Sequence, residues 1–145
     1  MRSTSFATLG ALALIAAGTA FAQQVVSADI PFEFTFANKV LPAGYYDLTH
    51  RPGVLLVRNV VTKAAAFSTV INIGKDASGS GQSGLAFNKY GDKYFLAEAW
   101  SSTGAEWGSG VIQSKAEREL ARINPDVARV TIPARTGSGS LVLSR

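Results

Sequence analysis

Few side chains in this sequence can do chemistry. There is one histidine, His50, and no cysteine among the 145 residues. Disulfides, thiolate metal sites, cysteine nucleophiles, a His-rich metal centre and lipid attachment through an N-terminal cysteine are therefore excluded. His50 stands at the end of a predicted strand beside Pro52-Gly53, and it reads as an exposed turn residue rather than a base or ligand. Glycoside chemistry needs two carboxyl groups about 5–10 Å apart across a cleft, and the spacing of the ten acids marks out no such pair. Asp76 and Asp92 stand alone in predicted loops, whereas hard cations need clustered oxygen ligands. Gly79-x-Gly81-x-x-Gly84 formally matches a dinucleotide fingerprint. That motif must open a helix, but here a strand-like segment follows, so residues 74–84 read as a flexible Gly/Ser loop. No catalytic residue, metal site or cofactor is expected.

Two sets of residues remain of interest. Tyr45, Tyr46 and Trp107 lie near predicted loops and form the candidate ligand-binding set. Glu98 lies between Leu96 and Trp100 in an apolar run and is the candidate buried structural acid. Burial would raise its pKa and a cation would lower it again. A helix arginine, Arg118 or Arg122, is the expected partner, tying a hairpin to a helix.

The elements that position these residues repeat mostly with period two. Ile30, Phe32, Phe34 and Phe36 alternate with polar neighbours and predict a strand with one buried face. Strands are also predicted over 45–49, 54–61 and 65–73, the last with Phe67, Thr69, Ile71 and Ile73 on one side. Residues 85–100 predict a hairpin turning at Gly91-Asp92, which places Tyr90 opposite Lys93, Phe87 opposite Leu96 and Leu85 opposite Glu98. Its expected core face carries Leu85, Phe87, Tyr94, Leu96 and Trp100. Residues 101–110 read as a loop. Over 114–123, Ser114 and Glu117 form a capping box. Ala116, Leu120 and Ile123 make a narrow apolar stripe that should dock the helix on the sheet, and Lys115 and Glu119 can pair on its outer side. In the tail, 124–145, weaker strands are expected at 128–132 and 140–143. The fold class expected is mainly β: a small antiparallel β-sandwich or partly open β-barrel of six to eight strands with one short α-helix in the C-terminal half. Membrane β-barrels need longer strands than most of these.

Residues 1–22 read as a signal peptide: Arg2, then an apolar stretch over 6–17, then Ala20-Phe21-Ala22, with cleavage expected between Ala22 and Gln23. Residues 23–145 would form a single β-rich domain, periplasmic or extracellular, with no transmembrane helix. Cleavage removes only Arg2 among the charges, lowering the net charge from +4 to +3. The basic residues are dispersed, and export argues against a nucleic-acid partner.

Several segments carry a resemblance in their order: IPFEF at 30–34, LPAGYY at 41–46, VLLVRN at 54–59, NKYGDKYFLAEAW at 88–100 and SKAEREL at 114–120. Across roughly 25–123 the chain resembles an uncharacterised family of small exported bacterial proteins of acidobacterial type. The resemblance implies export and no known activity, cofactor or catalytic residue. The function expected is a non-enzymatic structural or interaction module whose partners are envelope components or another exported protein. The alternative is a periplasmic carrier of a small ligand with an aromatic-lined pocket between sheet and helix or inside the barrel, and a small hydrolase stands third.

Overall fold

The computed structural model describes residues 24–74, 81–102 and 106–138. The predicted signal peptide, most of the predicted 74–84 loop and the strand expected at 140–143 lie outside the described residues. The rest is mainly β, with eleven strands and one helix. The strands are β1 (Gln24–Ile30), β2 (Phe34–Phe36), β3 (Lys39–Leu41), β4 (Gly44–Arg51), β5 (Val54–Asn59), β6 (Ala65–Asn72), β7 (Gly84–Tyr90), β8 (Lys93–Ser101), β9 (Trp107–Val111), β10 (Ala128–Pro133) and β11 (Arg135–Ser138); α1 spans Lys115–Ile123. The count exceeds the expected six to eight because single runs split. Pro31, which has no amide donor, follows the last residue of β1, and the Ile30–Phe36 alternation continues across the break into β2. Ile30, Phe34 and Phe36 all remain in the core. Residues 101–110, read as a loop, include the first part of β9.

The sheet runs β10-β7-β8-β9-β6-β5-β4-β1-β11, with the β2–β3 hairpin attached to β8 through Thr35 and Phe95. The two outer strands of that order are neighbours in sequence, separated only by Ala134. One segment of the tail thus pairs with β7 through its first half and with β1 through its second. The Thr136 hydroxyl lies 2.7 Å from that of Ser83 and 3.2 Å from that of Ser101, joining β11 to the β7–β8 end. This arrangement suits a partly open barrel better than two independent sheets.

The enclosed core contains Val26, Ile30, Leu48, Leu55, Val57, Leu85 and Leu96 around an aromatic centre. There Phe34 meets Tyr46 at 5.1 Å and Phe87 at 5.4 Å, edge to face, the geometry that ring quadrupoles favour. Among the described residues no helix is long and apolar enough to cross a membrane.

The β7–β8 hairpin turns at Gly91, whose φ of 63° suits glycine. Its pairing follows expectation as far as Tyr90–Lys93 and Phe87–Leu96, then shifts. Ala86 opposes Glu98 and Leu85 opposes Ala99, so Ala97 is an extra residue in β8. The bulge reverses which residues face inward beyond it. Leu96 and Ala99 enter the core, while Trp100 leaves the expected core face and is buried on the opposite side between Gly84 and Gly108. The Trp100 indole N–H donates to the Gln82 carbonyl at 2.7 Å. A Cβ on Gly84 would lie 2.6 Å from the indole ring and 3.2 Å from the Ile132 carbonyl oxygen. Gly84→Ala should therefore lower unfolding stability by about 1–3 kcal/mol, measured by urea denaturation followed through tryptophan fluorescence; unchanged stability would show that the indole has room to move.

Candidate functional site

Helix α1 is held by an unexpected group. Ser114 is its N-cap, and its hydroxyl accepts from the Glu117 amide at 3.2 Å. The Glu117 carboxylate does not close the predicted capping box. It turns into the sheet and accepts from Asn88 Nδ2 at 3.0 Å and from the Tyr90 hydroxyl at 3.1 Å. Glu117 is the buried residue of the helix, 4% exposed. Its charge is met by these two donors and by the helix N-terminus, in whose first turn it lies. Burial first, and then the charge of Glu117, push the Tyr90 phenol up to about 12, so it stays protonated and remains a donor.

Because a polar anchor holds the helix, its predicted apolar stripe is not packed away. Ala116 is exposed, Leu120 is half-buried and Ile123 is 75% exposed. This corrects the expectation that the stripe docks on the sheet. Ala116, Leu120 and Ile123 instead form one wall of a groove of about 780 Å3. The opposite wall is Phe32, Val40, Tyr94 and Phe95, from the β1–β2 connection, the β2–β3 hairpin and the start of β8. Phe32 and Tyr94 stack at 3.8 Å, and the Lys89 ammonium lies 5.4 Å from the Tyr94 ring centre. Glu33, Asp92, Lys93 and Glu119 put charges of both signs among the lining residues. The predicted Lys115–Glu119 pair is present at 4.0 Å but is exposed and contributes little.

None of the predicted ligand-binding residues lines this groove. Tyr46 is fully buried and donates its hydroxyl to the Pro42 carbonyl at 2.5 Å, as a core residue. Tyr45, its neighbour on the same strand, points the other way and is 42% exposed. Trp107 is buried at the start of β9 and stacks on His50 at 4.5 Å. His50 is accordingly not an exposed turn residue: it is a half-buried member of β4, its ring lying flat on an indole. Glu98 is half-buried and ion-paired, but with Arg129 of β10 rather than with Arg118 or Arg122 of the helix. The Ala97 bulge moves it to the outer face, where Arg129 reaches it from β10 across β7. The tie from hairpin to helix is made by Glu117, whose place in a capping box disguised it. The groove residues were legible only as strand and helix positions, because groove formation depends on what α1 leaves uncovered.

Among the described residues no group of three or more His, Asp or Glu side chains is placed to hold a metal ion. Comparison with protein-family models, with curated proteins and with solved structures gave no match.

Burial holds the His50 imidazole below its ordinary value of 6.5. The folded state then takes up the proton less readily than the unfolded chain does. This contribution to stability is fully present above pH 6.5 and is lost as the pH falls through 6.5 toward the lower folded value. Thermal melts of the protein and of His50→Phe, which keeps a ring against Trp107, should diverge in that window. The parent should lose melting temperature more steeply with acidification than the variant, and parallel curves would show that His50 does not contribute to the pH dependence.

Proposed function

We propose that this is an exported, non-enzymatic binding protein that takes an apolar ligand into the groove between α1 and the sheet. The observation that carries the reading is the pair of facing apolar walls, Phe32, Tyr94 and Phe95 against Leu120 and Ile123. Small-molecule sites are concave, mostly apolar and about 300–1,000 Å3 in volume, and the groove falls within that range. This favours the carrier reading over a purely structural role. The lining charges, Glu33, Asp92 and Glu119 with Lys93, are all exposed to solvent and their acidic excess disfavours an anionic head group, so the ligand class is an uncharged or weakly polar molecule with an aliphatic or aromatic body. Export is carried by the sequence of residues 1–22.

The test is equilibrium titration with N-phenyl-1-naphthylamine, an uncharged fluorescent apolar probe. Saturable binding at one site is expected. Ile123→Glu puts a charge on an already exposed rim position and should weaken binding about tenfold, as expected from losing one apolar side-chain contact, without changing the melting temperature. Val61→Glu, at an 81% exposed position outside the lining, should bind as the parent does. Absence of saturable binding, or equal binding by Ile123→Glu, would overturn the reading.

A further inference from the structure

The outer face of the sheet carries a second apolar surface, separate from the groove. On β6, Ala66 points into the core while Phe67 and Ile71 point outward, 72% and 56% exposed. This reverses the usual use of such a strand, whose larger apolar side chains normally line the buried face. The two are four residues apart, so about 13 Å along the strand. Cross-strand neighbours make the surface continuous. Leu56, half-buried, lies beside Phe67; Val54 lies beside Thr69; and Gly110 of β9, having no side chain, lets the side chains of Ile71 and Ile73 lie over its backbone.

The charges on this face have a small basic excess, with Arg51, Arg58 and Arg135 against Asp47 and Asp29. Arg51 lies in register with Val54. Two rows further along on the same face, Arg135, Ser27, Asp47 and Arg58 run side by side across β11, β1, β4 and β5. Arg51, Arg58 and Arg135 are exposed. Asp47, which accepts a hydrogen bond from the Ser27 hydroxyl, is the acid in that row. Further round the face, Glu98 is already paired with Arg129. Large side chains standing out of the sheet, with arginines beside them, combine apolar insertion with attraction to anionic head groups. A second copy of the chain is disfavoured as the occupant, because a two-fold contact sets the same patch against itself and brings arginines against arginines. From this geometry we infer that the outer face of β4–β6 docks on an anionic lipid surface, with Phe67 and Ile71 entering the head-group layer and Arg51 and Arg58 meeting lipid phosphates.

Vesicle flotation tests this, using phosphatidylcholine alone and phosphatidylcholine mixed with phosphatidylglycerol. The protein should float with the mixed vesicles, bind neutral vesicles far more weakly, and be released by raised salt. Phe67→Ser/Ile71→Ser should lower binding by at least about tenfold, and Arg51→Glu/Arg58→Glu should do the same on mixed vesicles, both with near-parental melting temperatures. Residues 1–22 are common to all forms, so binding that the substitutions do not reduce would overturn the inference. So would failure to bind mixed vesicles, or a concentration-dependent dimer in sedimentation that Phe67→Ser/Ile71→Ser abolishes.

Discussion

The groove between α1 and the sheet depends on one buried carboxylate. Glu117 fastens a nine-residue helix to the β7–β8 hairpin through Asn88 and Tyr90. A helix this short is not stable alone, and helices normally find their support by burying an apolar face. Here charge-assisted hydrogen bonds, each contributing about 1.5–3 kcal/mol, take over that task. The consequence is geometric. Leu120 and Ile123 are free to face a groove, and the wall opposite them is built from rings already held by the core, as Phe32 is through its contacts with Phe87 and Tyr94. An apolar anchor at position 117 could not use the donors that Asn88 and Tyr90 present. The Tyr90 phenol, held protonated by its surroundings, belongs to the anchor as much as the carboxylate does.

Two further devices set the frame on which this anchor works. The Ala97 bulge divides β8 into a half that serves the core through Leu96 and a half whose Glu98 and Trp100 serve the outer face. The segment from Ala128 to Ser138 then joins the two ends of the sheet, pairing first with β7 and then with β1. Bulges bend and twist a strand locally, which is what a sheet needs if its ends are to be reached by one short stretch of chain. The Glu98–Arg129 pair spans β8 and β10 across β7. It lies where these two devices meet.

Most of the fold was legible where side chains alternate. The Ile30–Phe36 pattern, the Gly91-Asp92 turn and the Ser114 cap each found the right place because period two, a positive φ and a hydroxyl before a helix are local signals. The β2–β3 hairpin was missed because its turn uses Ala37 and Asn38, both at positive φ, where glycine is the usual marker. The register error beyond Phe87 came from one extra residue, which no local pattern announces. On β6 the alternation was read correctly, but Phe67 and Ile71 face outward, because periodicity gives two faces without saying which is buried. The site was the least legible part. Tyr46 and Trp107 are aromatic near predicted loops yet belong to the core, whereas Glu117 completes the pattern of a capping box, which hides the need for its carboxylate elsewhere.

Helix α1 depends on a single side chain, and this dependence can be measured directly. Amide hydrogen exchange should be followed through α1 and through β7–β8 in the protein and in Glu117→Ala. Losing about 2–3 kcal/mol of anchoring should speed exchange of the helix amides by about 30–160-fold, with a much smaller change in the sheet, because α1 would open on its own. Helix protection that is unchanged, or that falls only in step with the whole sheet, would contradict the claim that the Glu117 carboxylate holds the helix and thereby shapes the groove.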